Sequence, residues 1–263
     1  MRLPRAELLS GCNDPEGFIP LLDLADTVLR TWQPQWSPFL SAPLREEVLQ
    51  RLSSLTELTL HSAGGRTGAE RQRLWFSRSE EGQEANPPDT APVMGLDVEG
   101  NFLFDPVEPD DIRTALLALG VAEAEIGDIW IRGDRGAQAL CTPEAADRLD
   151  GQKGHVRDVD IHIEQKEVEQ LQLPATRIPK QLTSVEASCR LDAIASAGFG
   201  LSRAKVVQQI RNGRLRLNWK AVRQASKDLN VGDRLQLQDR GSLEVLALER
   251  TKRERWRVRL ERR

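Results

Sequence analysis

Apolar residues recur at helical spacing between Pro15 and Thr31. Phe18, Leu21, Leu22, Ala25, Val28 and Leu29 fall on one stripe behind the cap and first-turn pair Asp14-Pro15. Trp32 to Pro38 reads as a connection, and residues 43 to 54 as a second amphipathic helix. Thr56 to His61 alternates as a strand ended by Gly64-Gly65. This pattern predicts a small α/β domain over residues 1–76. Residues 77 to 92, SRSEEGQEANPPDTAP, interrupt it with three prolines and no aromatic, which predicts a linker or mobile loop.

A second patterned region follows. Val93–Val98 and Asn101–Phe104 read as a hairpin across Glu99-Gly100. Asp110-Asp111 caps a helix through Leu119 that Gly120 stops. Ile129–Arg132 and Ala137–Cys141 read as strands on either side of a Gly133–Gly136 turn. Thr142-Pro143-Glu144 opens a helix to about Leu149, and Val156–Ile163 is a last strand. The order β-β-α-β-β-α-β predicts a mixed sheet with helices on one face, of the split-βαβ kind, over residues 93–170.

In the last third, Ser202 is a helix cap, and Val206, Val207 and Ile210 are spaced to pack on Leu191, Ile194 and Phe199. Asn212-Gly213 permits a left-handed stop. Along Arg214–Asn218, Leu215 and Leu217 point to a core, while Arg214, Arg216 and Asn218 share the other face. Leu243–Leu248 is a strand, Thr251–Glu254 a turn, and Trp256, Val258 and Leu260 alternate with Arg255, Arg257, Arg259 and Glu261. A terminal hairpin with its arginines outward is expected, with Trp256 as a core anchor.

The charge balance follows these divisions. Over 263 residues the formal net charge is −3. Residues 181–263 hold 19 Lys+Arg against 9 Asp+Glu, whereas residues 1–180 hold 18 against 31. An acidic body with a basic end is the asymmetry expected when only that end meets a polyanion. Cys12, Cys141 and Cys189 are odd in number and widely spaced, which predicts neither a disulfide framework nor a zinc site and points to a reducing, cytoplasmic setting. No run approaches the length of a membrane span, and MRLPRAELLSGCNDPEG lacks the apolar core of a secretory signal.

Residues 188–241 carry a resemblance. Arg190-Leu191-Asp192 opens a first helix that Gly198 ends, and Ser202-Arg203 opens a second that Ile210 and Gly213 close. Leu215–Asn218 fits a strand, Gly232-Asp233 a late turn and Arg240-Gly241 the end. This spacing resembles the S4 domain, an αL-type RNA-binding fold. Trp219 stands where the pattern usually has glycine, so the turn there must be built differently, because tryptophan does not enter positive φ cheaply.

Further pieces resemble YlmH-type proteins and their cyanobacterial and plastid branch, the photosystem II S4-domain proteins. They are Pro43–Glu46, Gly64-Gly65 with Ala69-Glu70-Arg71, and Leu117–Gly120 with Ile126–Ile129. The resemblance implies an α+β multidomain protein: a small N-terminal α/β domain, a central split-βαβ domain of the RRM or ferredoxin-like type, and an S4 domain with a terminal hairpin over 181–263. It also implies a non-catalytic, ribosome-associated partner of rRNA or tRNA, with a role on stalled large-subunit complexes as one possibility. A monomer without cofactors is expected.

The residues expected at the RNA are Arg190, Ser202, Arg203, Lys205, Arg211, Asn212, Arg214, Arg216, Asn218, Lys220 and Arg223. Arginine suits the task because it donates two parallel hydrogen bonds to one phosphate. Trp219, beside Lys220, is a second candidate contact.

Two other functions fit the chain less well. One is an RNA-modifying enzyme that uses the S4 domain for docking. The other is a photosystem-linked interaction factor whose acidic body binds protein. Neither a Walker loop, a G-x-G-x-x-G after a strand, an H-E-x-x-H nor a G-x-S-x-G elbow is present in the sequence. Asp158, Asp160 and His162 would share a strand face and read as its wet side or as metal ligands. His61 with Gly64-Gly65 and Arg66 reads as a plain turn or an anion-binding loop. Asp192 is expected to partner Arg190 or cap its helix.

Overall fold

The computed structural model describes residues 3–79, 87–88, 90–175, 179–218, 220–237 and 240–263. The chain divides into two compact units, Met1–Ala175 and Thr176–Arg263. The expected division between 1–76 and 93–170 runs between two sheets of the first unit.

The first unit begins with α1 (Arg5–Leu9), α2 (Pro15–Thr31), β1 (Gln35–Trp36), α3 (Ala42–Leu52), β2 (Leu58–Ala63) and β3 (Arg73–Arg78). Asp14 caps α2 by accepting from the Gly17 N–H at 3.0 Å, with Pro15 pre-set in the first turn. The six apolar residues of the α2 stripe are all buried. The sheet runs β1-β3-β2, antiparallel throughout. Its central strand, β3, escapes a period-2 reading because Leu74, Trp75, Phe76 and Ser77 are all buried. It also takes Ser77 and Arg78 out of the expected linker, of which residues 80–86 and 89 lie outside the described residues.

The central elements are β4 (Met94–Gly100), α4 (Pro109–Ala118), β5 (Ile126–Ile131), β6 (Gly136–Cys141), α5 (Pro143–Leu149), β7 (Lys153–Val156) and β8 (Val159–Lys166). The sheet order is β5-β6-β4-β8-β7. Without β7, this is the β-α-β-β-α-β arrangement of a split-βαβ domain, and β7 adds an edge strand. Four expectations are corrected. The sheet is wholly antiparallel rather than mixed. Residues 101–104 form no strand, because β4 pairs with β6 and β8 instead. The single strand expected over 156–163 is a hairpin turned by Arg157 at φ 54. The cap of α4 is Glu108, paired reciprocally with Asp111, rather than Asp110-Asp111.

Leu96 and Val98, Ala137, Ala139 and Cys141, and Ile161 and Ile163 pack under Ile112, Leu116, Ala146 and Leu149 of the helices. Gly136 is required where β6 crosses β4. Its φ is 124, and a Cβ there would sit 1.9 Å from the Val98 carbonyl oxygen.

The second unit comprises β9 (Lys180–Glu186), α6 (Leu191–Phe199), α7 (Arg203–Arg211), β10 (Leu215–Leu217), β11 (Lys220–Ala221), β12 (Arg234–Leu237), β13 (Gly241–Arg250) and β14 (Trp256–Arg262). Its antiparallel sheet runs β11-β10-β12-β13-β14-β9. The helices cover one face. Leu191, Ile194, Phe199, Val206 and Ile210 pack on Leu215, Leu217, Leu235, Leu243, Val245, Val258 and Leu260. Val207, expected in this core, is half-buried and is not among the residues that form it. Trp256 is half-buried and packs against the core from its place on β14. The terminal hairpin is flanked by β9, which pairs with β14 from Lys180 to Glu186.

Gly198 does not end α6. It lies inside the helix, where a Cβ would approach Leu243 Cδ2 to 2.3 Å, so its bareness permits close packing on β13. Gly200, at φ 65, is the left-handed cap. Among the described residues, no helix is long and apolar enough to cross a membrane.

Candidate nucleic-acid interface

The start of α6 is tied down from two sides. The Leu191 N–H donates to the Lys227 carbonyl at 2.8 Å and the Asp192 N–H to the Ala225 carbonyl at 3.0 Å. Asp192 is buried, and its two oxygens accept from Arg190 Nε and Nη2, each at 3.1 Å. That pairing holds the Arg190 guanidinium above its ordinary range. It also leaves one edge of the half-exposed fork facing solvent.

Ser202 caps α7 by accepting from the Lys205 N–H at 3.3 Å. Arg203, in the first turn, lies 3.8 Å from the Glu186 carboxylate. Lys205 and Arg211 are exposed, and no carboxylate lies within 4.0 Å of either among the described residues. At about 100° per residue, Arg211 sits roughly 80° around the helix from Arg203, and Lys205 roughly 200° from it. The α7 cations therefore flank the helix instead of forming one row. Asn212 ends the helix and Gly213, at φ 70, turns the chain into β10.

The eleven expected residues divide between the faces of the sheet. Leu215 and Leu217 point into the helix-covered core, so Arg216 between them points away from it. Lys220 is opposite Leu217 in the register and shares the helix side at the edge. Arg214 and Arg223 are exposed on either side of this short hairpin. Asn218 is a structural clamp. At φ 47 it supplies the positive-φ residue just before Trp219. Its Nδ2 donates to Asp233 at 2.7 Å, and its Oδ1 accepts from the Arg234 N–H at 2.8 Å. Trp219 itself lies outside the described residues.

The family models for the N-terminal domain of YlmH and for the S4 domain match residues 14–81 and 189–235 respectively. The chain carries a YlmH-type N-terminal domain and an S4 domain. Over 222 residues it is 25% identical to the ribosome-associated protein quality control protein P2 of Bacillus subtilis (strain 168), covering 84% of each chain. A solved structure, the cell division protein ylmH from Streptococcus pneumoniae, superposes with a TM-score of 0.47 at 14% identity, over 62% of this chain and 96% of that one.

Outside the S4 domain, the weaker candidates meet internal partners. The Gly64–Arg71 loop does present N–H groups to an anion, but that anion is Asp128. It accepts from Glu70 N at 3.0 Å, Arg71 N at 2.9 Å and Arg66 Nη2 at 2.7 Å. Asp160 pairs with His155 at 2.8 Å, and His162 lies 3.7 Å from Glu164. No metal-holding cluster occurs among the described residues.

The face of the central sheet turned away from α4 and α5 is where an RNA-recognition sheet exposes stacking aromatics. Here it bears Asp97, Glu99, Gln138 and Leu140. Leu140 is covered by Phe39 and Leu171, and Asp97 is buried against Arg132 at 2.9 Å. Trp130, on the same face, donates through Nε1 to the Gln172 carbonyl. It lines a shallow hollow of about 440 Å³ with Arg132 and Arg135.

Burial pushes the Cys141 thiol up to about 12, so it stays protonated and unreactive at neutral pH. Two features of the interface were missed in the sequence: β9, and the Glu186 carboxylate it carries beside Arg203. The alternation of Leu182, Ser184 and Glu186 with Gln181, Thr183 and Val185 was the signal for that strand.

Proposed function

We propose that the chain is a non-catalytic, ribosome-associated protein that binds folded RNA, rRNA or tRNA, through its S4 domain in the cytoplasm. The observation that carries this reading is the set of exposed cations around α7 and β10. Lys205, Arg211, Arg216 and Arg223 have no carboxylate within 4.0 Å among the described residues, in a unit with 19 Lys+Arg against 9 Asp+Glu over 181–263. Such groups bind phosphates with release of condensed counterions. Arg190, Ser202, Asn212 and Asn218 hold the surface in shape. Arg203, Lys205, Arg211, Arg214, Arg216, Lys220 and Arg223 make the phosphate contacts.

The shape of a folded RNA, rather than its sequence, is what such a surface reads. We extend this reading to stalled large-subunit complexes carrying peptidyl-tRNA, with the chain acting as a monomer; the B. subtilis relative is, by its name, a ribosome-associated quality-control protein. The name of the B. subtilis relative carries no photosystem link, and the reading is confined to the ribosome.

The test is sedimentation of the full chain with ribosomal subunits at low and high salt. Co-migration at low salt, lost at high salt and in a Lys205→Glu/Arg211→Glu variant that melts like the wild type, is the expected result. Co-migration indifferent to both salt and charge reversal would sink the proposal.

A further inference from the structure

The matched S4 segment ends at residue 235, yet the sheet continues through β13 and β14. The end of β13 and the turn that joins it to β14 carry Arg250, Lys252, Arg253 and Arg255, all exposed. None of the four has a carboxylate within 4.0 Å among the described residues, and Glu254 is the one acid in the turn. The rest of the hairpin and the neighbouring β12 are different. Arg257 and Arg259 lie 3.9 and 3.8 Å from Glu249, Arg234 lies 3.3 Å from Glu244, and Arg263 lies 2.6 Å from Glu261. The cations along the outer face of β12 and β14 thus have carboxylates beside them, while those of the tip do not among the described residues.

The tip is also held in one shape. Thr251 N–H donates to the Arg255 carbonyl at 2.8 Å, Arg255 N–H donates to Thr251 Oγ1 at 3.2 Å, and Glu254 N–H donates to the Thr251 carbonyl at 3.0 Å. Glu254 turns the chain at φ 56. Cations on a preformed turn lose less entropy on meeting a ligand than cations on a loose one.

Its position links it to α7. Trp256, the first residue after the tip, is opposite Glu186 in the register, and the Glu186 carboxylate is 3.8 Å from Arg203 at the start of α7. Arg250 is opposite Trp256, on the helix side of the sheet, with its guanidinium 6.0 Å from the indole centroid. The hairpin tip and the N-terminal end of α7 therefore share one end of the unit.

We propose that this tip is a second contact for the phosphate backbone of the same folded RNA, which lies across α7 and reaches Arg250, Lys252, Arg253 and Arg255. The proposal rests on the RNA-binding reading above and extends it beyond the S4 segment. The test compares two variants of the full chain, Lys252→Gln/Arg253→Gln/Arg255→Gln and Lys205→Gln/Arg211→Gln. Affinity for ribosomal RNA and hydroxyl-radical footprints are measured after thermal melts have matched both variants to the wild type. The tip variant is expected to lose about tenfold or more in affinity, since three phosphate contacts go. It should also lose protection of one stretch of backbone while the stretch protected through α7 remains. Wild-type affinity and footprint in the tip variant, with loss in the α7 variant, would overturn this proposal and leave the RNA-binding reading standing. Unchanged binding in both variants would overturn the two together.

Discussion

The two units use arginine in opposite ways. In the first, guanidinium groups hold the fold. Arg66 binds Asp128, Arg71 donates to the Ile126 and Glu123 carbonyls, Arg73 to those of Ser37 and Pro92, and Arg132 to Asp97. Burial pushes Arg71 and Arg73 below their ordinary range, though both remain cations at neutral pH. In the second unit, Lys205, Arg211, Arg216, Arg223 and the hairpin-tip cations stand in solvent with no carboxylate beside them among the described residues. The sign of a side chain is therefore a poor guide to a polyanion site. Whether its donors are already taken is the better guide, and a count of Lys and Arg along the chain does not show that.

The contrast is broken most strongly at its buried end. Asp128→Ala removes the acceptor for Arg66 and for two backbone N–H groups inside the first unit. It is expected to destabilise that unit by about 3–5 kcal/mol, the usual cost of breaking a buried charge pair. Denaturant unfolding measures this, and RNA affinity of the still-folded fraction should not change. Next comes Gly198→Ala, which forces a Cβ against the fully buried Leu243. Overpacking of this kind costs about 1–3 kcal/mol and should lower the melting temperature of the S4 unit.

A smaller effect sharpens the other side of the comparison. Glu186→Gln removes the one carboxylate within 4.0 Å of Arg203 among the described residues, and RNA affinity should rise by roughly two- to fivefold at low salt, with the gain fading as salt screens the surface. The smallest effect is on pH dependence. Arg148 and then the Ala122 N–H hold Glu125 below the usual carboxylate range. A depressed folded-state value means the contribution is present above the unfolded value and lost as pH falls through the folded one. Glu125→Gln should flatten stability below about pH 4, the range where an ordinary Glu titrates, and leave it unaltered near neutrality.

Much of this was legible from spacing. The α2 stripe, the Thr142 and Ser202 caps, the Leu215–Leu217 alternation and the terminal hairpin all follow local rules of burial and capping. What was not legible depends on partners distant in the chain. β3 is buried on both faces, so it shows no alternation, and β1 is two residues long. Gly198 reads as a helix stop until Leu243 is placed against it. Asn218 reads as a polar contact until Asp233 and Arg234 are brought to its amide. Among the candidate cations, the pairing of Arg190 with Asp192 was legible in the Arg-Leu-Asp triplet, whereas the contact of Arg203 with Glu186 was not, because Glu186 lies on β9, seventeen residues earlier in the chain.

The most direct test is the salt dependence of the full chain's affinity for folded ribosomal RNA, measured for the wild type and for Lys205→Gln/Arg211→Gln. Log affinity should fall linearly with log salt at roughly −0.9 per phosphate contacted, and the variant's slope should be shallower by about two. A wild-type affinity that barely changes with salt, or identical slopes in the two proteins, would contradict the account.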